Sequence, residues 1–146
     1  MSLQDWLNNK LLTEHTTSRK EIAGLLAAVD RDLAECVQEN ISPEWRLAIA
    51  YAAALRICSI ALAVSGYRAT RDQYHYRTIQ SLRFTLEIEP KLISELDQFR
   101  KKRNATLYDE IQAISDLETQ RMVELAILLR DRVVRWIAEN YPDLME

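Results

Sequence analysis

The chain reads as an all-α protein, a single-domain antiparallel bundle of four to five helices. Three observations carry that reading. Its 146 residues include 2 glycines and 3 prolines, too few for a β-fold that turns roughly every 8–12 residues. Leucine, isoleucine and valine recur three and four residues apart along most of the chain, the period of a helix with one buried stripe. Serine or proline precedes most of these stretches, where a helix start needs a side-chain acceptor or a residue without an N–H. A hydrophobic share of 48% with 28% charged residues excludes wholesale disorder. A chain of this length buries roughly two thirds of its unfolded surface and needs no disulfide or metal staple.

Residues 1–17 predict a short helix or arm. Leu3, Trp6, Leu7 and Leu11 give it an apolar side that clips onto the body or onto a partner, and His15-Thr16-Thr17 breaks it. The bundle is expected over 18–141 and a tail over 142–146. Ser18-Arg19-Lys20-Glu21 has the capping-box spacing. Ile22, Leu25, Leu26, Val29, Leu33, Cys36 and Val37 follow on one stripe, with Asn40 as terminator. Ser42-Pro43-Glu44 opens the second helix, and Gly66 closes it in the left-handed conformation. Alanines 48, 50, 52, 53, 54, 61 and 63 let neighbours approach closely, which suits the centre of a bundle.

Thr70-Arg71-Asp72-Gln73 reads as a further capping box, ahead of a helix with His75, Ile79, Leu82 and Leu86 on its inner stripe. Pro90 begins a helix carrying Leu92, Ile93, Leu96 and Phe99. The same stripe reaches Arg103, so this guanidinium is expected to leave from the buried side. Ser115-Asp116-Leu117-Glu118 caps the last helix, which buries Met122, Ala126, Leu129, Val133, Trp136 and Ile137 and ends near Asn140.

Several function classes find no support. Leu47 to Val64 carries one charge, Arg56, and reads as a buried central helix rather than a membrane span. The N-terminus lacks a basic segment followed by an apolar core, so a cytoplasmic protein is expected. Cys36 and Cys58 have no CxxC spacing and read as reduced, buried thiols. No metal and no cofactor are expected. The chain has neither a glycine-rich phosphate loop nor a Glu-x-x-His motif, and its second histidine, His15, lies near the chain end.

The net charge of −3 hides an asymmetry. Residues 66–104 hold nine Lys and Arg against five acids, and the remainder ten against seventeen. Tyr67, Tyr74 and Tyr76 interleave with these cations. Aromatic stacking beside phosphate-pairing arginine is how single-stranded nucleic acid is gripped; a solvated, merely solubilising helix face is the plainer alternative. Arg100-Lys101-Lys102-Arg103-Asn104 is the sharpest local feature, because adjacent cations repel. An arginine on an apolar stripe needs a carboxylate, a phosphate or backbone carbonyls. Asp97, Asp109 and Glu110 are the intramolecular candidates. His75 reads either as a core histidine bonded to a carbonyl or tyrosine, or as a proton carrier facing Arg103 across a cleft.

The segments Leu47-Ala48-Ile49-Ala50-Tyr51, Gly66-Tyr67-Arg68, His75-Tyr76-Arg77-Thr78-Ile79-Gln80 and Phe99-Arg100-Lys101-Lys102-Arg103-Asn104 resemble small stand-alone bacterial proteins of the HEPN superfamily. The resemblance spans roughly Ser18 to Tyr141. It implies a helical bundle that forms a homodimer with a composite site at the twofold axis. Many members are metal-independent ribonucleases, often toxins of toxin–antitoxin pairs, so an antitoxin-like protein partner also follows. Their motif is an arginine, a polar residue, and a histidine after four to six further residues. Arg103-Asn104 matches its first half. Tyr108, Asp109 and Glu110 occupy the positions for histidine. Tyrosine, with a pKa near 10, is a poor proton carrier at neutral pH. The resemblance thus implies binding of RNA, a nucleotide or another phosphate-bearing ligand. Arg103 and Asn104 would form the site, Arg100, Lys101, Lys102 and Arg77 its cationic rim, and Tyr108 its wall. Its alternatives are a ribonuclease using Arg103 with Tyr108 or His75, and a non-catalytic interaction module.

Overall fold

The architecture follows from one unusually small-residue helix and the elements that close on it. In the computed structural model, which describes residues 1–104 and 114–145, that helix is α3, Pro43–Val64. Ser42 caps it by accepting the Trp45 N–H, Pro43 fills the first turn, and Gly66 follows the helix at φ +96°. Twelve of its 22 residues are buried, half of them alanine or cysteine. The helix α2 (Arg19–Cys36) and the helix α6 (Asp116–Asn140) pack along it. The helix α4 (Tyr74–Gln80) and the helix α5 (Pro90–Asn104) pack against it as well. With the short helix α1 (Leu3–Asn8), the fold is all-α. Among the described residues, α3 alone is long and apolar enough to cross a membrane, and 67% of its apolar window is buried inside the protein. Cys36 and Cys58 are buried free thiols. Burial pushes Cys58 up to about 12.

Three capping boxes predicted from the sequence end in three ways. At Ser115 the box is complete, with serine and Glu118 each accepting a backbone N–H of the other. At Ser18 it is half formed. The serine accepts the Glu21 N–H, but the Glu21 carboxylate turns to Thr17 and His15 instead. At Thr70 it does not form. The Thr70 hydroxyl donates to Leu11 O, and α4 starts after Gln73, which adopts φ +52° without a side-chain cap. The predicted third helix also stops early. After Gln80 a 3₁₀ turn, Ser81–Arg83, takes over. Ser81 bonds back to Thr78 O and Thr85 to Ser81 O, the local side-chain bonding that competes with helix continuation. Ile79, Leu82 and Leu86 are buried as expected, whereas Val37, expected on the inner stripe of α2, is 48% exposed just past the helix end.

The arm clips onto the body, and it does so through a short two-stranded sheet that the sequence did not announce. The strands β1 (Leu12–Glu14) and β2 (Tyr67–Ala69) pair antiparallel, with Leu12 opposite Ala69 and Glu14 opposite Tyr67. The left-handed turn at Gly66 brings its carbonyl to the His15 N–H at 2.9 Å. Trp6 and Leu12 bury against Leu62 and Ala69, and Trp6 meets Phe84 edge-on at 5.2 Å. The tail folds back too, since Arg19 Nε donates to Asp143 O and Leu144 and Met145 pack on the core.

Candidate functional site

Helical geometry brings Tyr51, His75 and Arg103 to one wall. Tyr51, Leu55 and Ser59 follow one another at four-residue steps along α3, one face of a helix. The left-handed Gln73 turns the chain so that Tyr74 and His75 open α4 beside that face. The C-terminal turn of α5 delivers Arg103, four residues after buried Phe99. Together with Leu25, Ala52 and Arg56 these side chains line a groove of about 360 Å³. A second hollow of about 550 Å³ opens on the other side of Tyr74 and His75, bordered by Arg71, Gln73, Tyr76 and Arg100.

The electrostatics of this wall are specific. The Arg103 guanidinium carbon stands 5.7 Å from the Tyr51 ring centroid, and its Nη1 donates to Asn104 Oδ1 at 3.2 Å. Arg100 stands 5.5 Å from the Tyr76 ring and donates from Nε to Asp97 Oδ1 at 2.7 Å. That bond, foremost, raises the Arg100 pKa. The wall also holds Arg56, which donates to Asp32 of α2 at 2.8 Å. Burial lowers the His75 pKa, and the nearby Arg103 and Arg100 charges lower it further. His75 is therefore neutral at physiological pH.

Its proton can be placed. The Tyr51 side chain is buried, and burial pushes its phenol above the ordinary value of 10, so it keeps its O–H. A buried hydroxyl proton needs an acceptor. Among the described residues the acceptor within reach is His75 Nδ1, at 3.2 Å. With Nδ1 accepting, the neutral ring carries its hydrogen on Nε2. In that tautomer the one lone pair of the ring is taken by Tyr51.

The structure thus brings together Arg103, Asn104, Arg100 and His75, and disperses the rest of the predicted rim. Lys101 reaches Asp97 at 3.9 Å and borders a separate hollow with Gln80 and Pro90. Lys102 pairs with Glu118 of α6, on the side of Phe99 and Leu117. Arg77 turns back to Asp72 O at 2.9 Å. Asp97 pairs with Arg100 and Lys101 rather than with Arg103. Tyr108, Asp109 and Glu110 lie outside the described residues. Sequence reasoning missed Tyr51 as a site residue. Its one signal is a polar-tipped aromatic inside an alanine-rich helix. No family model matches the chain, and no curated protein matches it.

Proposed function

We propose that this chain is a cytoplasmic, HEPN-like, homodimeric module that binds single-stranded RNA or a nucleotide through Arg103, Arg100 and His75. The observation that carries the reading is the place of His75 between two hollows, one bordered by Arg103 and the other by Arg100. A phosphate in either hollow meets a guanidinium, which binds its oxygens in a fork, with the uncharged His75 beside it. The Tyr74 and Tyr76 rings beside it suit unpaired bases, which stack on aromatic faces. The tautomer favours binding over cleavage, because a general base must present a lone pair to the proton that it takes.

The test is fluorescence anisotropy with a labelled single-stranded RNA across a salt series, with the protein's mass in solution measured alongside. Affinity should fall steeply with salt, as counterions return to the phosphates. Arg103→Ala should weaken binding about tenfold and flatten the salt slope by about one unit. Unchanged affinity and slope in that variant would overturn the proposal.

A second reading, a metal-independent ribonuclease of the toxin type, is favoured by one observation, the presence of His75 and Arg103 in the same groove. Arginine would stabilise the charged phosphorane while His75 moves the proton. It requires RNA cleavage that disappears in both Arg103→Ala and His75→Ala.

A further inference from the structure

A further cavity, of about 220 Å³, lies where the arm meets α2, α3 and β2. It shares Leu25, Ser59 and Tyr74 with the Arg103 groove, so the two hollows adjoin along α3. Its floor is apolar, made by Leu62, Ala63 and Ala69. Its polar groups are of both signs. Glu21 Oε1 accepts from Thr17 at 2.6 Å and faces His15 Nε2 at 2.8 Å. Oε2 takes no hydrogen bond among the described residues. Arg68 borders the same space, close enough for its charge to act on Glu21. Tyr67 and Tyr74 add aromatic surface, and the Tyr74 hydroxyl lies 3.3 Å from Ser59 Oγ.

A flat heterocycle with a donor edge and an acceptor edge fits these groups. The volume is below the roughly 300–1,000 Å³ of sites for drug-sized ligands, so one ring system enters and a ribose and phosphate stay outside. Among the bases, guanine has two adjacent acceptors, O6 and N7, that match a guanidinium fork. Its N1–H and N2–H lie on another edge, and one of them matches Glu21 Oε2, the carboxylate oxygen left open. We infer that the cavity bounded by Glu21, Arg68, Tyr67 and Tyr74 is a nucleobase subsite selecting guanine, adjoining the phosphate groove. The inference rests on the proposed reading of that groove. The base is supplied by an unpaired residue of a strand or by a free guanine nucleotide.

The test compares the intact chain's binding to an all-uridine oligoribonucleotide with its binding to the same oligomer carrying one central guanosine. Guanosine monophosphate and uridine monophosphate serve as competitors. The guanosine-bearing strand should bind about tenfold more tightly. Arg68→Ala and Glu21→Gln should each erase that preference, so that the two oligomers bind alike. Arg68 is exposed, so its variant keeps the fold even where Glu21→Gln loosens the arm. Selective competition by guanosine monophosphate assigns the site to free nucleotide as well as to strand, and competition confined to oligomers assigns it to strand. Equal affinity for the two oligomers, sensitive to salt and to Arg103→Ala, would overturn the base subsite and leave the groove standing. No binding of either oligomer at low salt would overturn both.

Discussion

The molecule has two histidines, and it holds them in opposite company. His15, on the arm, faces the Glu21 carboxylate at 2.8 Å, with the Thr17 hydroxyl on the same oxygen. His75, on the body, faces a tyrosine hydroxyl and stands among the charges of Arg100 and Arg103. One imidazole is set against an anion, the other kept neutral among cations. Yet both border hollows that share Tyr74. The difference teaches that the ring's role is written by its neighbours: His15 shares a carboxylate oxygen with a threonine hydroxyl, whereas burial and two nearby cations hold the His75 pKa down.

Tyr51 is where the comparison breaks most easily. Tyr51→Ala removes a ring that is 1% exposed and should cost about 3–5 kcal/mol, read as a lower denaturant midpoint. Tyr51→Phe keeps the packing and should cost about 1 kcal/mol. It also releases His75 Nδ1, and NMR of the imidazole should show the Nε2–H preference lost. An unchanged tautomer would contradict the assignment of the proton.

A smaller effect separates the two histidine neighbourhoods by pH. The folded pKa of His75 lies below its ordinary 6.5, so the unfolded chain takes up that proton first as the solution acidifies. The stability held by neutral His75 is present above about 6.5 and is lost as pH falls through the folded value. Glu21 is lowered from 4.5, chiefly by Thr17 and then by His15. Its contribution is present above 4.5 and lost further into acid. Thermal melts between pH 7.5 and 3.5 should show the first loss vanish in His75→Gln and the second persist. Smallest of all, Glu21→Gln should cost under about 1 kcal/mol, since the pair is only partly sheltered from water. It should raise amide exchange in the arm before it moves the melting temperature of the bundle.

Much of the helical frame was legible because its signals are local. Ser42, Pro43 and Gly66 mark both ends of α3 within a few residues. Arg103 on the inner side of α5 followed from counting along one stripe. What could not be read depends on distant partners. The strand pairing links residues 55 positions apart, and three-residue strands carry no alternation to detect. The role of Tyr51 is set by a histidine 24 positions later. The cationic run looked like one patch in a line of text. Successive residues, however, point about 100° apart on a helix, and Lys102 finds its anion 16 positions on. Gln73 gives no warning of its left-handed backbone, a strain of about 1–3 kcal/mol that tertiary contacts sustain at this wall.

Ala50, Ala53, Ala54 and Ala61 are each 0% exposed. With only methyl groups at these positions, the central rod is nearly as thin as a helix can be, and the flanking helices rest almost on its backbone. The clearance between the walls is therefore gauged by single carbon atoms. Alanine-to-valine replacements there would act as shims, widening the gap without touching any charged residue.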